Sequence, residues 1–185
     1  MGLLRRAFAA VHDNVAIARD PVGHARRLGV RVGADCRLLA VTRGTFGSEP
    51  YLISLGDHVT ITAGVRFITH DGGLWTLRDR YPEADLVDRI SIGSNVFVGT
   101  GATLLPGSRI GDDVVIGAGA IVTGTIPSGC VAAGVPARPI RPIAEYHERA
   151  LARAIHVRNR PAAEKRALFE AFLDGTVDGQ GRPVR

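Results

Sequence analysis

The sequence predicts a mainly β chain wound as a parallel β-helix. Three observations carry that: a six-residue hydrophobic repeat from Ile92 to about Ala133, glycine recurring in phase with it, and a composition rich in aliphatic but poor in aromatic residues. Hydrophobic residues make up 45% of the 185-residue chain and aromatics only 5%, so the core must come from Val, Ile, Leu and Ala in repetitive packing. That length suits one such core with modest extensions.

Every sixth residue from Ile92 is a large aliphatic: Ile92, Val98, Leu104, Ile110, Ile116 and Val122. The position after each reads Gly93, Gly99, Leu105, Gly111, Gly117 and Thr123, and the position four beyond reads Val96, Ala102, Ser108, Val114, Ala120 and Ile126. A period of six matches neither the 3.6 of a helix nor the two of an alternating strand, which leaves a turning coil. The aliphatic fills the interior and the smaller residue packs inward where space is tighter. Glycine is read as permitting the backbone geometry of a corner. Three hexapeptides close one turn, so residues 18 apart become vertical neighbours at about 4.8 Å, and Thr100 stacks on Ala118.

Worn copies precede the clear repeat, in Val32-Gly33 through Cys36, Leu38 through Thr42, Leu55-Gly56 through Val59 and Ile61 through Val65. Two stretches break the period, Arg43 to Tyr51 and a long loop over residues 71–89; loops leaving a stacked solenoid cost its core little. The expected organisation is an N-terminal helical cap over residues 1–27, the β-helix with its inserted loop over 28–140, and a C-terminal helical tail over 141–185. Helical spacing is visible in residues 20–28, in Ile143 to Val157 and in Ala162 to Leu173, the last with Pro161 near its start. Open coil ends expose backbone groups and apolar interior, and helices there would cover them.

The formal charge of +5 is spread without a basic run, which argues against a nucleic-acid partner and suits a small polyanionic ligand. Cys36 and Cys130 lie far apart with no CxxC or Cys/His spacing, so reduced thiols and no metal are expected. The apolar stretch after Arg5 and Arg6 is broken by His12 and Asp13, unlike a signal peptide or a membrane span. A cytoplasmic address is therefore expected. Of the histidines, His70 in FITHDGGLW stands where a regular coil meets the mouth of the long loop.

The segment THDGG, followed by IGSNVFVGTGATLLPGSRIGDDVVIGAGAIVTGTIPSGCVAAGVPARPIRPI, resembles the hexapeptide-repeat acyltransferases, and within them the sugar and polysaccharide O-acetyltransferase branch. The resemblance covers roughly residues 28–140 and implies a left-handed coil, acetyl-coenzyme A as donor and a homotrimer with active sites at the subunit boundaries. It further implies that His70 is the catalytic base, taking a proton from an acceptor hydroxyl and returning it to the departing thiolate. Thr100, Ala118, Thr123, Gly124, Arg138 and Arg141 match the family's cofactor contacts, with the two arginines suited to phosphate. Gly124 departs from the lysine often found after the VVT triplet, which leaves only main-chain interaction there.

Asp71, Trp75 and Arg78 in the loop are candidates for the acceptor site, with Arg80 beside them. An aromatic stacks on a sugar face, arginine binds acidic groups, and Asp71 is alternatively placed to orient the His70 ring. Two further readings stay open: N-acetylation of an amino sugar, and a scaffold that has kept the coil without the chemistry. The γ-type carbonic anhydrases share the coil, but His58 and His70 stand twelve apart and no HxxxxH pair completes a zinc set.

Overall fold

The structure, a computed structural model, describes Val15 and residues 17–184. Arg5, Arg6, His12 and Asp13, and with them most of the N-terminal cap inferred for residues 1–27, lie outside the described residues. The chain forms two compact units that divide after Ile143.

The first unit is the coil. Its strands are β1 (Arg31–Val32), β2 (Arg37–Leu38), β3 (Ile53–Leu55), β4 (Thr60–Ile61), β5 (Arg66–Phe67), β6 (Ile90–Ile92) and β7 (Val96–Val98). They continue as β8 (Thr103–Leu104), β9 (Arg109–Ile110), β10 (Val114–Ile116), β11 (Ile121–Val122), β12 (Thr125–Ile126), β13 (Cys130–Gly134) and β14 (Ala137–Pro142). Three sheets form the faces of a left-handed parallel β-helix: β1-β3-β6-β9-β12, then β2-β4-β7-β10-β13-β14, then β5-β8-β11. All pairings are parallel except β13 with β14, which folds back at the C-terminal end of its sheet.

Strand register reports how long each turn is. Val96 pairs with Val114 and Ile121 with Thr103, both 18 positions apart. Arg31 pairs with Ser54 at 23 positions and Ser54 with Ser91 at 37, so five extra residues sit in one turn and nineteen in the next. The first insertion falls between β2 and β3, the second between β5 and β6. The turn through Thr123 and Gly124 is two residues short, because Thr125 pairs with Arg109. Ile126 therefore stacks on Ile110 in the large aliphatic row, not in the small row with Ser108 where strict sixfold counting puts it. Both rows are inward, so an isoleucine satisfies either, and the shortened turn leaves no hydrophobic misfit in the sequence.

The interior is a stack of like on like. Leu38, Ile61, Val98, Ile116 and Ala132 succeed one another along one face and are all buried, as are Phe67, Leu104 and Val122 along another. Counting by the same register puts Cys36 and Cys130 at opposite ends of one inward row, with Val59, Val96 and Val114 between them. Four strand spacings separate them, about 19 Å, too far for a disulfide, and both are free.

The glycines in phase with the repeat act differently from expectation. Gly56, Gly93, Gly99, Gly111 and Gly117 are not among the residues with positive φ. They are required because the next coil comes too close for a side chain. A Cβ on Gly99 would stand 2.6 Å from the Ala118 nitrogen, one on Gly56 2.7 Å from the Gly93 carbonyl carbon, and one on Gly111 2.6 Å from the Ser128 nitrogen. At one corner, one polar residue of each coil bonds the coil before it. Asp57 Oδ1 accepts from the Ala34 N–H at 2.7 Å, Ser94 Oγ from Asp57 at 3.1 Å, Asp112 Oδ1 from Ser94 at 2.6 Å and Ser128 Oγ from Asp112 at 2.9 Å. These bonds satisfy turn donors that the strands leave unpaired. Beside that ladder His58, Asn95 and Asp113 take the left-handed conformation, φ near 54°, and bond one to the next through their side chains. His58 is thus a corner residue.

A short helix, α1 (Pro21–Arg27), covers the N-terminal end of the coil. Asp20 caps it by accepting from the Gly23 N–H at 2.7 Å, and that bond, with Arg27 nearby, holds its carboxyl below the ordinary range. Ala25 is fully buried against the core, and Arg26 donates to the carbonyls of Val32 and Gly33. At its C-terminal boundary α2 (Ile143–Ala152) begins. It is shorter than the helical spacing to Val157 suggests, because Arg153 and Ala154 donate three residues back and tighten its end. The second unit also contains α3 (Ala162–Leu173) and a turn in which Asp178 accepts from the Gln180 and Arg182 N–H groups and the Arg182 guanidinium.

Close approach and not φ is the stated role of the repeat glycines, and a matched pair of substitutions checks it. Gly99→Ala is expected to cost about 1–3 kcal/mol in urea unfolding, as overpacking does. Gly44→Ala, where a Cβ meets nothing within 4 Å, is expected to stay within about 0.5 kcal/mol of the parent.

Candidate active site

The two insertions converge on His70. The shorter one docks on β5. Phe46 is buried and packs on Phe67 with ring centroids 5.5 Å apart, and the Phe67 N–H donates to the Thr45 carbonyl at 2.8 Å. Gly47 then turns with φ 64°, where a Cβ would stand 2.8 Å from the Phe67 carbonyl oxygen. This carries the chain back over β5 and delivers Glu49.

The longer insertion leaves the coil at His70 and returns beside it. His70 and Val87 form an antiparallel bridge, with the Asp71 N–H donating to Leu86 at 2.8 Å and the Asp88 N–H to Thr69 at 3.0 Å. The backbone of His70 is thereby clamped by both strands of the loop's neck.

The His70 ring lies between two carboxylates. Nδ1 faces Glu49 Oε1 at 3.5 Å, and the Thr69 hydroxyl donates to the other Glu49 oxygen at 2.8 Å. Thr69 is buried, and the Glu49 side chain is 17% exposed, so this carboxylate is fixed. Nε2 faces Asp85 Oδ1 at 3.7 Å on the open side, where the ring is 34% and Asp85 55% exposed. A cleft of about 140 Å³ opens against the ring, lined among others by Gly47, Ser48, Arg66 and Thr69.

The loop candidates lie on the longer insertion. Asp71 accepts from the Gly73 N–H at 2.8 Å and starts a 3₁₀ helix over Gly72–Leu77; the carboxylate that faces Nδ1 of the ring is that of Glu49. Arg78 donates to the carbonyls of Pro82 and Ala84, both at 2.8 Å, and to Asp85 Oδ1 at 3.0 Å, which commits its guanidinium to shaping the loop. Trp75 is 77% exposed.

The donor candidates divide between two edges of one face. Thr100 and Ala118 stand where the chain enters the third sheet, and the Gly119 N–H donates to the Thr100 carbonyl at 2.8 Å, so these corners stack. Thr123 and Gly124 stand where the chain leaves that sheet, on the same edge as His70. Thr100, Ala118, Thr123 and Gly124 are all exposed. Arg138, on β14, donates to its neighbour's carbonyl at 2.9 Å with its side chain at the surface, and Arg141 pairs in register with Val131. Neither thiol is placed as a nucleophile: Cys36 Sγ donates to the Gly56 carbonyl at 3.1 Å and Cys130 Sγ to Pro127 at 3.2 Å, with burial pushing the Cys130 thiol up. Among the described residues no group of three His, Cys, Asp or Glu side chains is arranged to hold a metal, and no helix is long and apolar enough to cross a membrane.

Comparison with known proteins fits this geometry. Residues 89–124 match the family described as bacterial transferase hexapeptide, six repeats. The chain is 51% identical over 141 residues to protein CapG of Staphylococcus aureus, covering 76% of this chain and 82% of that one. It is 36% identical over 146 residues to the galactoside O-acetyltransferase of Escherichia coli, covering 76% and 67%. Among solved structures, a galactoside acetyltransferase in complex with coenzyme A superposes with a TM-score of 0.51 at 32% identity, over 65% of this chain and 58% of that one. A hexapeptide-repeat acetyltransferase from Vibrio cholerae shares the fold, with a TM-score of 0.52 at 24% identity over 62% and 63%. A β-helix of hexapeptide repeats with relatives of this kind is that of an acyltransferase. The chain belongs to the hexapeptide-repeat acetyltransferase family.

Glu49 is the site residue that sequence reasoning passed over. If it fixes the ring, Glu49→Ala is expected to lower kcat by about tenfold or more while leaving KM for the donor within a factor of about two. Steady-state kinetics at saturating acceptor would check this.

Proposed function

We propose that this chain transfers an acetyl group from acetyl-coenzyme A directly to a hydroxyl of a sugar or sugar-containing acceptor, with His70 as general base. The observation that carries this reading is the pairing of His70 Nδ1 with a carboxylate that is itself held by Thr69. Glu49 keeps the proton on Nδ1 and presents the lone pair of Nε2 to the open side.

In the forward step the acceptor O–H gives its proton to Nε2 as its oxygen attacks the thioester carbonyl carbon. The tetrahedral centre then collapses, the C–S bond breaks, and the proton on Nε2 passes to the sulfur. Acetyl ester and free coenzyme A leave, and the imidazole returns to its starting form. No covalent acyl-enzyme is invoked, since both thiols donate to backbone carbonyls and the rate gain comes from holding two substrates together.

The donor's long arm suits the coil axis, running past Thr100 and Ala118, with Thr123 and Gly124 near the reactive end and Arg138 and Arg141 on phosphate groups. Thr100 and Ala118 stand on the opposite edge of the sheet from His70, so a complete site combines His70 of one subunit with the donor edge of its neighbour in a homotrimer. Free thiols fit a reducing, cytoplasmic compartment. In this reading the inserted loop faces the acceptor, and residues 141–185 form a C-terminal helical tail.

His70→Ala is expected to lower turnover by about 10²–10⁴-fold with coenzyme A binding by calorimetry unchanged; turnover at the parent rate rules out the base. A mixing experiment checks the shared site. His70→Ala and Ala118→Arg chains, each inactive alone, are expected to regain about a quarter of parent activity when refolded together, the share of interfaces that pair two intact halves. No recovery would place both halves in one chain.

A further inference from the structure

The open side of His70 holds a pairing that is incomplete by itself. With its proton on Nδ1, the ring offers Nε2 as a hydrogen-bond acceptor. Facing it at 3.7 Å is Asp85 Oδ1, also an acceptor and too distant for a direct hydrogen bond. Asp85 is not there by drift. Arg78 donates to the same oxygen at 3.0 Å, and Arg78 is locked by the carbonyls of Pro82 and Ala84. The bridge from His70 to Val87 ties that end of the loop to the ring's own backbone. Two acceptors held side by side on an accessible surface call for a partner with two donors.

We propose that Asp85 determines acceptor specificity by accepting a hydrogen bond from the hydroxyl adjacent to the one that reacts, so that the substrate is a vicinal diol. The inference rests on His70 being the base. One hydroxyl of the pair gives its proton to Nε2; the other donates to Asp85 and keeps its proton throughout. A single alcohol has one proton and satisfies only one of the two acceptors, leaving Asp85 opposed to the reacting oxygen's lone pairs. Water, small enough to donate in both directions, remains a competent but slow acceptor.

The test uses cis-1,2-cyclohexanediol and cyclohexanol as surrogate acceptors, with acetyl-coenzyme A hydrolysis measured in parallel. The parent is expected to favour the diol by at least about tenfold in kcat/KM, as sites that bond a substrate hydroxyl reject analogues lacking it. Asp85→Ala is expected to cut that preference to about twofold, the statistical advantage of two equivalent hydroxyls, while coenzyme A binding by calorimetry and the thermal unfolding midpoint stay at the parent values and show that the protein is folded. Persistence of the full preference in Asp85→Ala overturns the proposal. So does a parent that acetylates the two alcohols equally or neither, or an Asp85→Ala variant that loses acetylation of cyclohexanol and of the diol alike, which would make Asp85 a support for the ring. Hydrolysis that survives in His70→Ala instead defeats the general-base reading, independently of Asp85.

Discussion

The close approach of successive coils at the glycine corners is the constraint on which the rest of this structure depends. Strands of two or three residues hold few hydrogen bonds each, so the stack relies on every corner lying directly on the next. At Gly99 the backbone of the following coil occupies the space a Cβ would need. Around the neighbouring corner the side chains of Asp57, Ser94, Asp112 and Ser128 meet the N–H groups of the coil before. Together these keep Ile116 on Val98 and Leu104 on Phe67 within the interior. The result is a rigid rail, and rigid support is what a site needs when its catalytic power comes from positioning.

The proposed chemistry lies where that regularity fails. Each insertion enters a turn whose core rows continue unbroken, so neither disturbs the stack. The shorter one is pinned by Phe46 and brings a nearly enclosed carboxylate to Nδ1; the longer one is pinned at its neck and brings an exposed carboxylate towards Nε2. The difference in exposure suits a division of labour. In the proposed site a half-buried partner holds the ring, and a solvent-facing one leaves room for a substrate between itself and the imidazole. Arg78, by holding Asp85 and two loop carbonyls at once, makes the long loop a shaped element.

The coil was legible in the sequence because a six-residue period has no other regular structure to explain it. The position of His70 at the end of a coil and the start of a loop was legible in the broken period after Thr69. The shortened turn at Thr123 and Gly124 was not, since Ile126 suits either inward row and register alone separates them. The glycines were read as turn formers, although steric contact between coils is what demands them. Glu49 was hidden in a stretch without periodicity; the signal available there was Phe46, a lone aromatic between Gly44 and Gly47 in a chain with few aromatics. Asp85 resembles its acidic neighbours Asp79 and Glu83 until Arg78 and the bridge at Val87 single it out. Arg78 reads as an acid-binding group, and in the structure it donates to the Asp85 carboxylate as well as to two loop carbonyls.

The most direct measurement is a crystal structure with coenzyme A bound to the assembled protein. The sulfur is expected within roughly 4 Å of Nε2 of His70 from one subunit, within reach for proton transfer, with the pantetheine arm passing Thr100 and Ala118 of the next. A sulfur lying on the Nδ1 side against Glu49, or an arm that runs along Thr100 and Ala118 without approaching any His70, would contradict it.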